Sequence, residues 1–289
     1  MEKVVWVECP RDAMQGIGRF IPTEDKIIYL NALLEAGFDI LDFGSFVSPK
    51  AIPQMRDTAE VLTSLKVPAS TRLLAIVANM RGVETASGFP SIACLGFPLS
   101  ISETFQQRNT NSSISDAMVT VSNLMATVQQ CGKEAVVYIS MAFGNPYGDH
   151  WSIDNVLRKV DELYVKGVRT IALADTVGMA EPQVVFRLFN RLVSAMPEVS
   201  FGAHLHSSPV NWKDKLQAAW DGGCRRFDSA MKGFGGCPMA DDELVGNLAS
   251  ENLLSFLLEK NAELKIDREK FRRALEVAVS VFREELRTT

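Results

Sequence analysis

His204 and His206 stand one residue apart in FGAHLHSSPV, within a chain of 289 residues that has three histidines. On a β-strand, side chains at i and i+2 share a face. Two imidazoles side by side are half of a divalent-metal site, because neutral imidazole is a common ligand for transition ions. The same spacing also fits two hydrogen-bonded strand histidines, so other donors must converge before a metal is implied. The chain has such donors after other apolar runs. Arg11, Asp12 and Gln15 follow the first, Asp42 ends the second, and Asp175 closes ALAD. Lys232 and Cys237 lie in KGFGGCP, and Asn247 lies in VGNLASEN.

Asp12, His204, His206 and Asn247 make a mixed oxygen and nitrogen donor set. One carboxylate, two imidazoles and an amide oxygen suit an octahedral Mg²⁺ or Mn²⁺ with positions left for substrate. Zn²⁺ is less natural without a thiolate. Each residue also has a structural reading. Arg11 and Asp12 can pair as ions at a rim, and Asn247 can cap the helix GNLASENLLSFLLEK. Asp42 and Asp175 can be caps or core ion-pair partners. Cys237 can be a small buried hydrophobe.

The elements that must position these residues are short apolar runs alternating with amphipathic segments. Strands are predicted at Val4–Glu8, Ile40–Phe46, Leu73–Ala78, Ile92–Phe97, Ala135–Phe143, Thr170–Asp175, Phe201–His206 and Arg226–Met231. Their Val, Ile, Leu and Ala content suits strands buried on both faces. Helices are expected at Thr23–Gly37, Pro53–Leu65, Gly82–Ser87, Ser115–Gln130, Ile153–Lys166, Gln183–Ala195, Trp212–Gly222 and Asn247–Leu258. Thr23 is the expected cap of the first, and Gly37 its terminator. Eight alternations without a linker predict an α/β fold, a (β/α)₈ TIM barrel over about residues 1–260, as a single catalytic domain. A C-terminal helical extension, Arg268–Arg287, follows within residues 261–289. A doubly wound sheet would want a Gly-rich loop after the first strand. ECPRDAMQGIG does not supply one. In TIM barrels the chemistry sits where strands end, and the candidate residues above all fall there.

A net charge of −5 gives no electrostatic case for nucleic acid. No apolar run reaches the length of a membrane span, and MEKVVWVECPRD lacks the pattern of a signal peptide. The five scattered cysteines suit a reducing, cytoplasmic setting better than a disulfide framework.

The ordered set PRDAMQ, GSFVSPKAIPQM, SISETF with the following NTN, ADTVG, HLH, GFGGCP and GNLASE resembles the 3-hydroxy-3-methylglutaryl-CoA lyase family of metal-dependent lyase and aldolase barrels. The motifs span residues 10–254. The resemblance implies metal ligation by Asp12, His204, His206 and Asn247. It implies that Arg11 faces the substrate carbonyl or the developing enolate, and that Cys237 takes part in proton transfer. It gives Asp42 and Asp175 roles behind the ligands or toward the substrate. With Arg11, Gln15 and Lys232 are the candidate substrate-binding residues. The implied reaction is divalent-metal-dependent cleavage of 3-hydroxy-3-methylglutaryl-CoA to acetyl-CoA and acetoacetate, a step of leucine degradation and ketone-body formation. The implied partner is an acyl-CoA, and a homo-oligomer, a dimer in the simplest case, is expected. The alternatives are the same chemistry on another 3-hydroxyacyl-CoA, a condensing synthase, and a non-catalytic metal-binding barrel subunit. The chain departs from the usual R-D-G-L-Q-N at RDAMQG, has a glutamate shifted to Glu8, and carries Asp42 and Lys232 where glutamate and a small residue are usual.

Overall fold

The computed structural model describes residues 2–235 and 246–283. A two-residue strand β1 (Glu2–Lys3) leads into β2 (Val5–Glu8). The helix α1 (Pro10–Gln15) follows at once, with proline in its first turn, where its missing N–H costs nothing. The barrel strands continue as β3 (Ile40–Ser45), β4 (Arg72–Ile76), β5 (Ile92–Ser100), β6 (Glu134–Ser140), β7 (Thr170–Asp175), β8 (Ser200–Leu205) and β9 (Arg226–Ser229). All pair in parallel in chain order, and β9 closes on β2 through Val5↔Arg226 to Glu8↔Ser229. The predicted TIM barrel is therefore the fold.

Alternation along each strand divides the core. Val7, Cys9, Ile40, Leu74, Ile76, Cys94, Val136, Tyr138 and Ala172 fill the barrel interior. Outward residues such as Trp6, Phe43, Phe97 and Phe227 pack under the helices. That outer layer is α2 (Thr23–Ala36), α3 (Thr58–Thr63), α4 (Met80–Ser87), α5 (Glu103–Thr110), α6 (Ile114–Cys131), α7 (Ile153–Val165), α8 (Pro182–Ala195), α9 (Trp212–Asp221) and α10 (Ser250–Glu259). A second short strand, β10 (Ala262–Glu263), pairs with β1, and α11 (Arg268–Val281) ends the described chain. The expected extension is thus helical and docked. Phe271 lies 6.0 Å from both Trp6 and Phe38, and Phe282 lies 5.7 Å from Tyr29 of α2.

Several local expectations need correction. Thr23 does not cap α2; its hydroxyl donates to Asp57 Oδ2 at 2.9 Å, and Pro22 occupies the cap position. Gly37 does end that helix, at φ +94°. The predicted helix from Pro53 is split into a 3-10 turn, Pro53–Met55, and α3. Strand β6 stops at Ser140 rather than Phe143, because Met141 turns to φ +59°. The last barrel strand stops at Ser229 rather than Met231, where a 3-10 turn, Met231–Gly233, begins. Asn247 is not a helix cap: α10 starts three residues later, after Ala249, and Asn247 bridges His206 in extended form.

Candidate active site

The site lies at the C-terminal ends of β2, β3 and β8, with Asn247 entering from the segment before α10. Arg11 and Asp12 are carried on the first turn of α1, immediately beyond β2. Helical spacing then brings Gln15 back onto both, since residues three and four apart share a face. Gln15 Nε2 donates to Asp12 Oδ1 at 2.7 Å, and Gln15 Oε1 accepts from Arg11 Nη1 at 2.9 Å. Arg11 also donates through Nη1 to Asp12 Oδ1 (2.8 Å), and through Nε (3.0 Å) and Nη2 (2.6 Å) to Asp42 Oδ2. The ion-pair reading of Arg11 and Asp12 is therefore correct as geometry, with Asp42 as a second carboxylate partner. A guanidinium has five N–H donors. These bonds use four, leaving one on Nη2.

His204 is the penultimate residue of β8, and His206 sits just past its end. Their rings are 5.4 Å apart. One ligand atom each from Asp12, His204 and His206 fall within 4.8 Å of one another, which is the spacing a shared ion needs. Asn247 joins them: its Nδ2 donates to Asp12 Oδ2 at 2.7 Å and to the Phe234 carbonyl at 2.8 Å. Its Oδ1 is then the atom on offer to an ion. Behind His204, Nδ1 lies 3.2 Å from Asp228 Oδ2, so Nε2 is presented forward. Gly235 crosses directly over Asp12 and Asn247. A Cβ there would lie 2.7 Å from Asn247 Nδ2 and 2.8 Å from the Asp12 carbonyl.

The electrostatics match a cation site. Burial would raise Asp12, but Arg11, His204 and His206 outweigh it and hold the carboxyl below its usual range. Burial would lower His204, but Asp228 and then Asp12 outweigh it and raise the imidazole. Asp42 is pushed up to about 6 by burial, with Arg11 pulling against it.

Asp175 is turned away from the reacting volume. Its Oδ2 binds Lys215 Nζ at 2.7 Å and its Oδ1 accepts from Ala180 N at 3.0 Å. Lys215 also donates to the His206 carbonyl at 2.9 Å, so Asp175 braces the backbone behind His206. Lys232 does not reach the cleft either. It takes φ +61°, its Nζ is 3.6 Å from Glu251 Oε1, and it is absent from the described residues lining the cleft. Cys237 lies outside the described residues.

A cleft of about 400 Å³ opens over the site. Arg11, Asp12, Gln15, His204 and His206 form its polar end. Val47, Ala51, Ile52, Ile76, Ala78 and Pro98 make an apolar wall, and Arg108, Asn109 and Asn111 also line it. Tyr138 also lines it, with its ring edge-on to His204 at 5.9 Å and its buried hydroxyl without a partner among the described residues. Tyr138 and Asp228 were not singled out from the sequence. The signal for both was the period of two along β6 and β9, which turns them into the barrel.

A closed barrel with a carboxylate, two imidazoles and a guanidinium gathered at its strand ends defines a TIM-barrel enzyme with a candidate divalent-ion site. The HMGL-like family pattern matches residues 3–278, and the chain belongs to that family. It is 31% identical over 262 residues to a hydroxymethylglutaryl-CoA lyase of Bacillus subtilis, covering 90% of this chain and 87% of that protein. It is 33% identical over 259 residues to a 3-hydroxy-3-isohexenylglutaryl-CoA/hydroxymethylglutaryl-CoA lyase of Pseudomonas aeruginosa, covering 89% and 85%. A (R)-citramalyl-CoA lyase of Chloroflexus aurantiacus is 31% identical over 265 residues, covering 88% and 83%. Among solved structures, the Bacillus subtilis HMG-CoA lyase superposes with a TM-score of 0.90 at 30% identity, covering 97% of this chain and 94% of that one.

Proposed function

We infer that the protein is a carbon–carbon lyase that cleaves 3-hydroxy-3-methylglutaryl-CoA to acetyl-CoA and acetoacetate. The observation that carries this is the convergence of Asp12, His204 and His206 donor atoms within 4.8 Å, beside Arg11 and at the end of an acyl-sized cleft. The relatives named as hydroxymethylglutaryl-CoA lyases support the same reaction.

The donor set fits a divalent ion of the Mg²⁺ or Mn²⁺ kind, held by Asp12, His204, His206 and Asn247 Oδ1. When bound, such an ion polarises oxygens of the substrate as a Lewis acid and orients them. The rest of the chemistry belongs to the chain. As the C2–C3 bond breaks, the C3 hydroxyl gives its proton to water in the cleft and becomes a ketone, and the acyl-CoA fragment leaves as an enolate, which takes a proton back at carbon. The remaining Nη2–H of Arg11 is the donor for the enolate oxygen, in a guanidinium whose other bonds fix its plane. Asp42 acts through Arg11, since both of its bonds go there. Gln15 locks Arg11 and Asp12 in one arrangement. Cys237 is the proposed donor of the proton that quenches the enolate at carbon. Four free cysteines, Cys9, Cys94, Cys131 and Cys224, among the described residues support a reducing compartment, and no helix there is long and apolar enough to cross a membrane.

A second reading, the same cleavage on a 3-hydroxyacyl-CoA with a different C3 substituent, is favoured by the apolar residues that line the cleft with Arg11. One experiment separates them. Chelated protein is restored with Mg²⁺ or Mn²⁺ and assayed for acetyl-CoA release from 3-hydroxy-3-methylglutaryl-CoA and citramalyl-CoA, beside Cys237→Ser. Metal-dependent turnover of the first, largely lost in the serine variant, is expected. Turnover of the second alone selects the alternative, and none with either overturns the lyase assignment.

A further inference from the structure

Gly233, Phe234 and Gly235 place one aromatic residue between two glycines that both take positive φ, +68° and +96°. Glycine restrains the backbone least of all residues, so this segment has little conformational preference of its own. The Phe234 N–H donates to the Met231 carbonyl at 3.4 Å, a long bond. The ring supplies the better anchor. It meets Phe282 with centroids 4.4 Å apart and planes inclined by 30°.

Phe282 follows the last turn of α11 and is fully buried. It also makes a perpendicular contact with Tyr29 of α2, centroids 5.7 Å apart. Beside it, Arg19 Nη2 donates to the Val281 carbonyl, one of the acceptors that a helix C-terminus leaves without an intrahelical partner. Arg19 belongs to the segment that joins α1 to α2. The end of the C-terminal helix is thus tied both to the segment leaving α1, which carries Arg11 and Asp12, and to Phe234.

Phe234 reaches the site through its backbone. Its carbonyl accepts from Asn247 Nδ2 at 2.8 Å, and the same nitrogen donates to Asp12 Oδ2 at 2.7 Å. An amide nitrogen has two N–H donors, and these acceptors use both. Together they fix which way the amide is turned, and so where Oδ1 points. With the Phe234 carbonyl shifted, Asp12 alone would let the amide swivel. The two backbones are also in close approach. A Cβ at Gly233 would lie 2.8 Å from the Asn247 carbonyl, and one at Gly246 would lie 2.5 Å from the Gly233 carbonyl. A displacement of Phe234 is therefore passed to Asn247.

We propose that Phe282 is a positioning residue for the divalent ion. Through the Phe234 ring it holds the carbonyl that orients Asn247, so the helix outside the barrel tunes ion affinity at the catalytic end. The proposal rests on Asn247 Oδ1 being an ion ligand. Phe282 acts through two other residues and takes no part in the bond cleavage itself.

The test is titration of chelated protein with Mn²⁺, followed by paramagnetic resonance, beside thermal melting of each variant. Phe234→Ala keeps the carbonyl and removes the ring. Phe282→Leu keeps an apolar side chain and removes the ring contact. Each is expected to weaken Mn²⁺ binding on the order of three- to tenfold. Phe271→Leu is the control, because Phe271 lies in the same helix but packs on Trp6 and Phe38. It should lower the melting temperature and leave Mn²⁺ affinity unchanged. Asn247→Ala should weaken Mn²⁺ binding further, and adding Phe282→Leu to it should change nothing more. Unchanged affinity in Phe234→Ala and Phe282→Leu, with Asn247→Ala weakened, overturns the proposal and leaves the ligand assignment standing. So does an equal loss in Phe271→Leu, or a further loss in the double variant. Unchanged affinity in Asn247→Ala overturns the ligand assignment and the proposal together. Should Phe282→Leu fail to fold, Phe234→Ala decides, since Phe234 is only partly buried.

Discussion

His204 and Asp228 are side-by-side partners on the adjacent strands β8 and β9, with Nδ1 and Oδ2 3.2 Å apart. The contact decides which imidazole nitrogen faces Asp12 and His206 in the proposed metal site. With Nδ1–H donated backward, Nε2 carries the forward lone pair. Asp228→Asn keeps the shape but allows the amide to donate to Nδ1, which favours the wrong tautomer. Divalent-ion affinity is expected to fall by about 10- to 100-fold with the fold intact. Titration of chelated protein with Mn²⁺, followed by paramagnetic resonance, measures it, and an unchanged affinity would free His204 from this control.

Gly235 covers Asp12 and Asn247, two of the proposed metal ligands, so closely that only a hydrogen fits. At φ +96°, a Cβ would stand 2.7 Å from Asn247 Nδ2 and 2.9 Å from Ala13 Cα. Both the backbone conformation and the contact oppose a side chain. Gly235→Ala should cost about 1–3 kcal/mol of stability and weaken ion binding by displacing Asn247 from Asp12. Gly18→Ala is the control, since nothing lies within 4 Å of a Cβ there. Equal melting shifts in the two variants would show that the crossing at Gly235 is not tight.

Lys232→Ala is expected to leave KM unchanged for both dicarboxylic and neutral acyl-CoAs. The side chain is 37% exposed and paired at 3.6 Å with Glu251, itself 30% exposed. Such pairs contribute about 0–1 kcal/mol, so stability should shift little. A selective rise in KM for the dicarboxylic substrate would return Lys232 to the cleft.

The sequence made some of this legible for physical reasons. Strands buried on both faces read as apolar runs, so the eight barrel strands could be found one by one. Asp12, His204 and His206 announce themselves because a polar residue at a strand end has few structural uses. Asp228 and Tyr138 look like ordinary members of strands until their neighbours on other strands are known. Helix α5 was missed because ETFQQRNT is polar almost throughout, with Phe105 and Gln106 as its buried residues. Its cap, Ser102 Oγ accepting from Phe105 N at 3.1 Å, was the available signal. Asn247 read as a cap because an asparagine before an apolar periodic run usually is one. The bridge to His206, more than 40 residues away in sequence, has no local signature.

Glu8 gives the chain a distinctive pH dependence. It points out of the barrel, fully buried, and accepts from Ser250 Oγ (2.5 Å), Ser229 Oγ (3.2 Å) and Met231 N (2.7 Å). Burial dominates these bonds and pushes its carboxyl from 4.5 up to about 8. The folded protein therefore holds a proton there that the unfolded chain releases. Stability from this group is full below about pH 4.5 and is lost as pH rises through about 8. Glu8→Gln keeps a carbonyl for Met231 N and a donor for a serine, and it cannot ionise. Urea unfolding of both proteins across that window is expected to show the wild type losing stability relative to the variant, by on the order of a few kcal/mol. Asp42, raised to about 6, titrates equally in both and cancels in the difference. Parallel pH profiles for the two proteins would mean that Glu8 is ionised in the fold at neutral pH, with its three donors outweighing its burial.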